Sequence, residues 1–205
     1  MQVKKEEVKE KIMDSARSEF LRHGYTGASL RVIAEKAGLT KGAVYSYFHN
    51  KDDLFCAVAE AAVQQIEGVF LVDQDNVSMP RDFLYAPNAA AEKTVRVFRD
   101  HAKTVLDHHE SFQLLLFCAG GSSLQNYKER IIQLYTESFY RFLALLHKPD
   151  CVGEIFIHTL ANTYVGFLEE IVLHEPHREE ADIYAGQMAV FVYSGIKKVL
   201  SLPSQ

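Results

Sequence analysis

Apolar residues recur every three or four positions along most of this chain, which is the repeat of an α-helix that buries one face. The first segment shows the repeat at Val8, Ile12, Ala16 and Phe20. It predicts a helix of about 20 residues that ends at Gly24. Alternating apolar and polar positions with hairpin turns, which would indicate strands, are missing. The pattern therefore predicts an all-α protein.

Two short helices are predicted next. Ser29 is suited to be the N-cap of a helix over 30–37, and Thr40 to be the N-cap of a helix over 41–48. Gly38 lies in the turn between them. A short helix, a turn with glycine and a second short helix form a helix-turn-helix.

The rest of the chain predicts longer helices. The fourth runs from 51 to about 72, and the others lie at about 88–108, 110–118, 122–147, 151–174 and 178–200. Residues 73–88 contain two prolines and several turn-forming residues, which predicts a loop. The total is about nine helices.

Charge is unevenly distributed along the 205 residues, although their net charge is only -5. Residues 1–51 hold ten Lys and Arg against six Asp and Glu, whereas the remainder holds twelve against twenty-one. A basic head on an acidic body suggests a polyanion as a partner of the head. Solvated charge without a function is the alternative.

The protein is expected to be soluble and cytoplasmic. No run of about 18 apolar residues indicates a membrane span, and the charged start lacks the apolar core of a signal peptide. The three cysteines, Cys56, Cys118 and Cys151, are odd in number and widely spaced, which fits free thiols in a reducing compartment.

The second short helix has features that suit the major groove of DNA. Gly42 costs about 1 kcal/mol relative to alanine inside a helix, but it allows another backbone to approach closely. The free N–H groups at a helix N-terminus favour phosphate, and Lys41 and the hydroxyls of Tyr45 and Tyr47 add donors. The alternative is that these tyrosines are half-buried in an ordinary helical protein.

The segment from Ser29 to Phe55, SLRVIAEKAGLTKGAVYSYFHNKDDLF, resembles the DNA-binding head of the TetR family of bacterial transcriptional regulators. The likeness extends from about Lys5 to Val58. Ile-Ala, Gly-Leu-Thr, Gly-x-Val-Tyr-x-Tyr-Phe and Asn-Lys-x-x-Leu occur in the family's order. This series of motifs is much more specific than a bare helix-turn-helix.

The resemblance implies a three-helix DNA-binding head and a larger C-terminal helical domain for ligand binding and dimerisation. Residues 1–50 would form the first domain and residues 51–205 the second. The implied protein is a homodimeric repressor that a small-molecule effector releases from double-stranded operator DNA. The resemblance implies no cofactor, no membrane partner and no catalytic residue.

The resemblance also assigns DNA-binding roles by position. Residues near the bases would be Lys41, Gly42, Ala43 and Tyr47. Arg31 would contact a base or a phosphate. Residues near phosphates would be Ser29, Thr40, Tyr45 and Lys51. His49, at the exit of the recognition helix, would contact the DNA backbone.

The body has candidate residues for a pocket and for a dimer face. The pocket candidates are Phe98, His101, Phe112, Phe117, Tyr135, Phe139 and Asn162. The dimer candidates, on two helices that are apolar around most of their circumference, are Phe156, Tyr164, Phe167, Ile171, Met188, Phe191 and Val192. Each aromatic residue could instead belong to the core of one subunit.

The sequence also raises two other classes of function. The histidine clusters at 107–110 and 174–177 raise the hypothesis of a His/Glu metal-dependent enzyme. However, His108 and His109 would point about 100° apart on a helix, so they cannot chelate one ion together, and no metal site is predicted. The third possibility is a dimeric helical scaffold without a specific DNA target.

Overall fold

The computed structural model describes residues 2–72, 82–83, 85–148 and 151–201. Nine α-helices and no strands are found in these ranges. The helices are α1 (Gln2–Gly27), α2 (Leu30–Lys36), α3 (Lys41–Val44), α4 (Lys51–Val72), α5 (Pro87–Asp107), α6 (His109–Phe117), α7 (Tyr127–Leu145), α8 (Glu154–His174) and α9 (Arg178–Leu200). The all-α prediction and the helix-turn-helix position of α2 and α3 are confirmed.

Four predicted helix boundaries differ from the structure by three residues or more, and one of them is the start of α8, which lies at Glu154 and not at 151. Helix α1 extends to Gly27, but Gly24 has φ 65° and ψ 171°, so the helical conformation is interrupted at the predicted end. Helix α3 is only four residues long, because Ser46 and Tyr47 donate their backbone N–H groups three residues back and tighten the next turn. Helix α7 begins at Tyr127 and not at 122. Of the predicted loop at 73–88, residues 73–81 and 84 lie outside the described residues.

The chain forms two compact units. The N-terminal unit combines Met1–Gln64 with His108–Tyr127, and the C-terminal unit combines Gln65–Asp107 with Lys128–Gln205. Both units are therefore discontinuous in sequence. The domain boundary after residue 50 stays a prediction, while compactness places the first part of α4 and the whole of α6 with the head.

The core of the N-terminal unit lies where the four-residue repeat predicted it. Ile12, Ala16 and Phe20 are fully buried. The Phe20 ring packs edge-on against Phe55 of α4, with the ring centroids 5.0 Å apart. Ile33 of α2 joins the same cluster, so the short helices share one core with the long ones.

The segment after α6 is bonded to the ends of α1 and α4. The backbone N–H of Tyr25 donates to the Cys118 carbonyl at 2.8 Å, and the Thr26 hydroxyl donates to the Gly120 carbonyl at 2.7 Å. The backbone N–H of Ser123 donates to Asp52 Oδ1 at 2.8 Å. This segment is thus part of the head, although it is more than 60 residues distant in sequence.

The core of the C-terminal unit is built mainly by α5, α7, α8 and α9. Phe98 of α5 packs on Phe167 of α8, with 5.0 Å between ring centroids. Phe139, Leu143 and Ile157 form a second buried cluster. Across the described ranges, every helix falls short of the length and apolar character that crossing a membrane requires.

A buried carboxylate holds α1 to both ends of α2. Glu19 is 3% exposed. It accepts a hydrogen bond from Lys36 Nζ at 2.9 Å and one from the backbone N–H of Ser29 at 3.4 Å. Burial by itself would raise the pKa of the Glu19 carboxyl, but these two hydrogen bonds and the Lys36 charge outweigh burial and hold the pKa below its ordinary value.

We expect Glu19→Gln to lower the free energy of unfolding by about 1–3 kcal/mol at pH 7, because the ion pair with Lys36 is lost inside the unit. Since the folded state lowers the pKa of Glu19, its carboxylate stabilises the fold above its unfolded pKa, and this contribution disappears as the pH falls through the folded pKa. The difference between wild type and variant should therefore shrink below about pH 4. Urea unfolding at pH 7 and at pH 3.5 measures both effects. Glu35→Gln, which changes an exposed carboxylate, is the control, and equal effects of the two variants would contradict the prediction.

Candidate nucleic-acid interface and ligand pocket

The turn between α2 and α3 is fixed by backbone hydrogen bonds. The N–H of Gly38 donates to the Glu35 carbonyl at 3.1 Å, and the N–H of Leu39 donates to the Ala34 carbonyl at 2.8 Å. This pair of bonds is the Schellman motif, which needs a left-handed residue after the helix. Gly38 supplies it with φ 70°. The motif sets the direction in which the chain enters α3.

Thr40 caps α3 as the sequence predicted. Its Oγ1 accepts the N–H of Ala43 at 3.2 Å. Gly42 follows on the exposed side of this turn. A Cβ added to Gly42 would meet only Thr40 Oγ1 at 3.9 Å, which is ordinary contact. Packing inside the chain therefore gives no reason for a glycine at this position, and the close approach of an external partner remains as a physical reason.

An exposed polar face surrounds Gly42. Lys41 and His49 are exposed, and the Tyr45 side chain is 46% exposed, with Lys41 Nζ 5.8 Å from the centre of its ring. Val44 and Phe48 point into the core from the other side, as the four-residue spacing predicted. The face therefore presents an ammonium and a phenol hydroxyl to solvent, next to a position without a side chain.

Ala43 and Tyr47 are less available than the residues of this face. Both are partly buried, and Tyr47 packs against the apolar core of the N-terminal unit.

Of the other positions that the resemblance assigned, Arg31 is exposed and bonded along α2 to Glu35, with Nε to Oε1 at 2.8 Å. This hydrogen bond raises the pKa of Arg31, so the guanidinium stays charged at any ordinary pH.

Lys51 has a structural role that sequence reasoning missed. Its Nζ donates to the carbonyls of Tyr25 at 2.7 Å, Ala28 at 3.2 Å and Thr26 at 3.4 Å, and lies 4.5 Å from the centre of the Tyr25 ring. An ammonium has three protons, and three carbonyls at the end of α1 accept them here. Lys51 thus stabilises the end of α1, and its phosphate contact stays a prediction.

Ser29 and His49 are likewise engaged through their backbones. Ser29 occupies the N-cap position of α2 in extended conformation, but its side chain makes no cap hydrogen bond; its backbone N–H donates to Glu19 Oε1. The His49 N–H donates to Asp53 Oδ2 at 2.9 Å, and the Asp53 N–H donates to Asn50 Oδ1 at 2.8 Å. These bonds cap α4 and leave the His49 ring exposed.

A cavity of about 190 Å³ lies inside the C-terminal unit. Four predicted pocket residues line it: Phe98, His101, Tyr135 and Phe139. The other three lie elsewhere. Phe112 is buried and Phe117 is exposed in the N-terminal unit, and Asn162 is exposed on α8 with its amide donating to the His158 carbonyl at 2.9 Å.

Helical spacing would have identified several missed lining residues. Thr94 and Val97 precede His101 on one face of α5, and Ser138 and Phe142 share the Tyr135 face of α7. The remaining lining residues are Phe83, Tyr164, Val192, Tyr193 and Ile196. The sequence prediction named individual aromatic and polar residues, whereas the cavity is lined by all the residues on one face of each helix.

The titratable groups of the cavity are uncharged at neutral pH. Burial lowers the pKa of His101 to about 4, although the nearby Asp100 carboxylate acts in the opposite direction. His101 Nδ1 lies 3.0 Å from the Tyr164 hydroxyl. Burial raises the pKa of Tyr135 to about 12, and burial together with Tyr135 raises that of Tyr164 further.

The predicted dimer residues are divided between the core and the surface. Tyr164, Phe167, Ile171 and Val192 are buried inside the chain, so they are not on an exposed face. Phe156 and Met188 are partly buried, and Phe191 is 70% exposed. The exposed apolar residues that the prediction missed on α8 and α9 are Ile155, Leu173, Ile183 and Val190.

The histidine clusters do not assemble a metal site in the described part of the chain. No three His, Cys, Asp or Glu side chains come together there in a way that could hold an ion. His174 instead pairs with Glu170 one turn earlier on α8, with Nε2 to Oε2 at 3.0 Å.

Similarity to known proteins in sequence is concentrated in the head. Residues 12–58 match the family described as bacterial regulatory proteins, tetR family. The chain is 36% identical over 80 residues to the HTH-type transcriptional repressor AcnR of Corynebacterium diphtheriae, covering 38% of this chain and 41% of that repressor. It is 34% identical over 92 residues to the HTH-type transcriptional repressor SCO4008 of Streptomyces coelicolor, covering 45% and 48% respectively. The matches span less than half of these relatives.

The likeness in fold extends further than the likeness in sequence. The crystal structure of a transcriptional regulator from Aquifex aeolicus VF5 aligns over 90% of this chain and 99% of its own, with a TM-score of 0.62 and 20% identity. Fold and head together define an all-helical protein with an N-terminal helix-turn-helix. Over residues 12–58, the head belongs to the tetR family of bacterial regulatory proteins. None of the relatives named here is an enzyme.

We expect Lys51→Met to lower the free energy of unfolding by about 1–3 kcal/mol, because the variant leaves the carbonyls at the end of α1 without their donor. Lys41→Met, at an exposed lysine of the same unit, should stay within about 0.5 kcal/mol of wild type. Urea unfolding followed by circular dichroism measures both. Equal stability of the two variants would contradict the structural role of Lys51.

Proposed function

We propose that this protein is a ligand-responsive, DNA-binding transcriptional regulator, and that it acts as a repressor. The carrying observation is the exposed face of Lys41 and Tyr45 around Gly42, a glycine that packing inside the chain does not require. The two curated relatives named above, which match the head, are described as transcriptional repressors, which supports the same class. A regulator of operator DNA would work in the cytoplasm.

The exposed face of Lys41 and Tyr45 is suited to bind in the major groove of a DNA duplex. A recognition helix enters the major groove with its N-terminal residues near the base edges. Lys41 has the reach to contact a guanine edge or a phosphate, and the Tyr45 hydroxyl can donate to a phosphate oxygen. Gly42 and Ala43 let the helix backbone lie close to the DNA. Arg31 can contact a base or a phosphate if its hydrogen bond to Glu35 is replaced by a hydrogen bond to the DNA.

The cavity in the C-terminal unit is the proposed effector site. It is concave, mostly apolar and lined by a few polar groups, which is the usual character of a small-molecule site. Binding there would release the operator if the effector prefers the conformation that binds DNA less tightly. No cofactor is needed for this mechanism.

The exposed apolar residues of α8 and α9 are the proposed dimer interface. Phe191, Val190 and Ile183 are all more than half exposed on α9, and Ile155 and Leu173 are exposed on α8. Apolar residues concentrated in this way favour a protein contact. A twofold dimer would also pair two heads, as palindromic operators require.

We expect Lys41→Ala to weaken binding to the DNA immediately upstream of the protein's own coding sequence by about 1–3 kcal/mol. The slope of log Kd against log salt should fall by about one, because one fewer counterion is released. Fluorescence anisotropy over a salt series, with a scrambled duplex for comparison, measures both. Lys103→Ala removes the same charge from an exposed position in the C-terminal unit and is the control.

Tight, salt-sensitive binding that prefers the upstream duplex would support the regulator. Absence of binding to either duplex at low salt would contradict it and favour the helical scaffold. Unchanged affinity and slope in folded Lys41→Ala would contradict the assigned recognition face. Tyr45→Phe removes only a hydroxyl and separates the phosphate contact from the packing of the ring.

Phe191→Asp should convert the proposed dimer to a monomer, because a carboxylate would be buried in an apolar contact. Sedimentation equilibrium measures the mass, which is 23.2 kDa for one chain. Tyr140→Asp, at an exposed aromatic residue on α7, should leave the dimer intact. Phe167 is not a suitable position for this test, since it is buried in the core and its substitution by Asp would unfold the chain. A dimer that persists in Phe191→Asp would argue against this interface.

A further inference from the structure

The cavity of the C-terminal unit has no formal charge on any of its described lining residues. Its ionisable groups are one histidine and three tyrosines, and burial favours the neutral form of each. An ion that entered would lose its hydration without gaining an opposite charge, which costs several kcal/mol. The wall therefore selects against charged molecules of either sign.

Two of the lining hydroxyls already donate within the protein. The Thr94 hydroxyl donates to the Ala90 carbonyl at 2.9 Å, and the Tyr193 hydroxyl donates to the Pro87 carbonyl at 2.8 Å. His101 Nδ1 and the Tyr164 hydroxyl form a pair in the wall, joined at 3.0 Å, and Tyr164 is buried. A neutral imidazole has one nitrogen for Tyr164 and a second for another partner. This pair thus offers the cavity an imidazole nitrogen, beside the hydroxyl-bearing side chains of Tyr135 and Ser138.

The apolar wall is mostly aromatic, with rings at several orientations. Phe83 stands at 87° to Phe142 and 5.3 Å from it, and Phe98 stands at 88° to Tyr164 and 6.3 Å from it. Rings at such different orientations line the cavity, and aromatic pairs favour both offset-stacked and edge-to-face contacts, which suits an aromatic guest. An engineered apolar cavity of about 150 Å³ binds benzene, so about 190 Å³ accommodates one or two fused rings.

We propose that this cavity takes an uncharged, mainly aromatic molecule of one or two rings, with a single hydrogen-bonding group directed at the His101–Tyr164 pair. This inference rests on the proposed function only in calling that molecule the effector. The chemical class follows from the wall itself, whether or not the protein binds DNA.

Calorimetric titration without DNA at pH 7 tests the class with probes of similar size. The uncharged probes are 2-naphthol and p-cresol, and the charged probes are benzoate and benzylammonium. We expect p-cresol to bind at least about tenfold more tightly than either charged probe, and 2-naphthol to bind more tightly than p-cresol. Binding of benzoate or benzylammonium as tight as that of p-cresol would overturn the proposal, and so would failure of both uncharged probes to bind.

Variants of the wall locate the site. Ser138→Asp and Val97→Asp each add a carboxylate to the lining and should shift the preference from p-cresol towards benzylammonium. Ser194→Asp adds the same charge at an exposed position of α9 and should change nothing. Two independent wall positions are used so that a folded variant is available, as thermal unfolding will show. An unchanged preference in a folded wall variant would contradict the site.

The hydrogen-bonding group is tested by His101→Phe, which keeps a ring but removes the nitrogen. Wild type should prefer 2-naphthol to naphthalene, and the variant should lose that preference while still binding naphthalene. Equal preference in both proteins would refute the polar anchor.

Adding operator DNA to the calorimetric sample separates the two proposals. If 2-naphthol binds but leaves DNA affinity unchanged, the class of ligand is supported and the regulatory role of the cavity is contradicted. If DNA binds and only charged probes bind the protein, the regulator stands and the proposed class falls.

Discussion

The geometry of the head depends on burial, because its two central helices are too short to be stable alone. Helices α2 and α3 have seven and four residues, whereas an isolated helix in water is marginal below about 12–15 residues. Ile33, Val44 and Phe48 hold them against the core that α1 and α4 build around Phe20 and Phe55. The exposed face of Lys41 and Tyr45 is therefore positioned by residues on its opposite side.

Polar contacts add direction to this burial. Glu19 bonds to both ends of α2, Lys51 bonds to the end of α1, and the Schellman motif at Gly38 sets the angle into α3. Hydrogen bonds depend on orientation, unlike apolar contact, so they select one arrangement among several that would bury the same area. Around its cavity, the C-terminal unit instead has mainly neutral aromatic rings with a few polar groups, among them the His101–Tyr164 pair.

Sequence periodicity predicted the helices and the inner faces of α1 and α3, because both follow from local spacing. It could not predict the partners of Lys51 and Glu19, whose bonds join residues 10 to 26 positions apart. It also could not divide the apolar circumference of α8 and α9 between core and surface. Apolar and aromatic residues such as Tyr164, Phe167 and Val192 are equally common in a core and in an interface. Only their packing against α5 and α7 shows that these three face inward. Phe112 and Phe117 were misplaced because α6 belongs to the head and not to the body.

The discontinuity of the N-terminal unit has a consequence for how such a chain can be recombined. Tyr25, Thr26 and Asp52 all bond to residues 118–123, so a gene segment that encodes only the first 60 residues carries an incomplete head. A Cβ at Gly121 would lie 2.8 Å from the Thr26 hydroxyl, at a backbone with φ 89°. Residues 118–123 must therefore fit the end of α1 against which they pack. Exchange of specificity between relatives is therefore easier through single substitutions on the exposed face than through transplantation of a whole module.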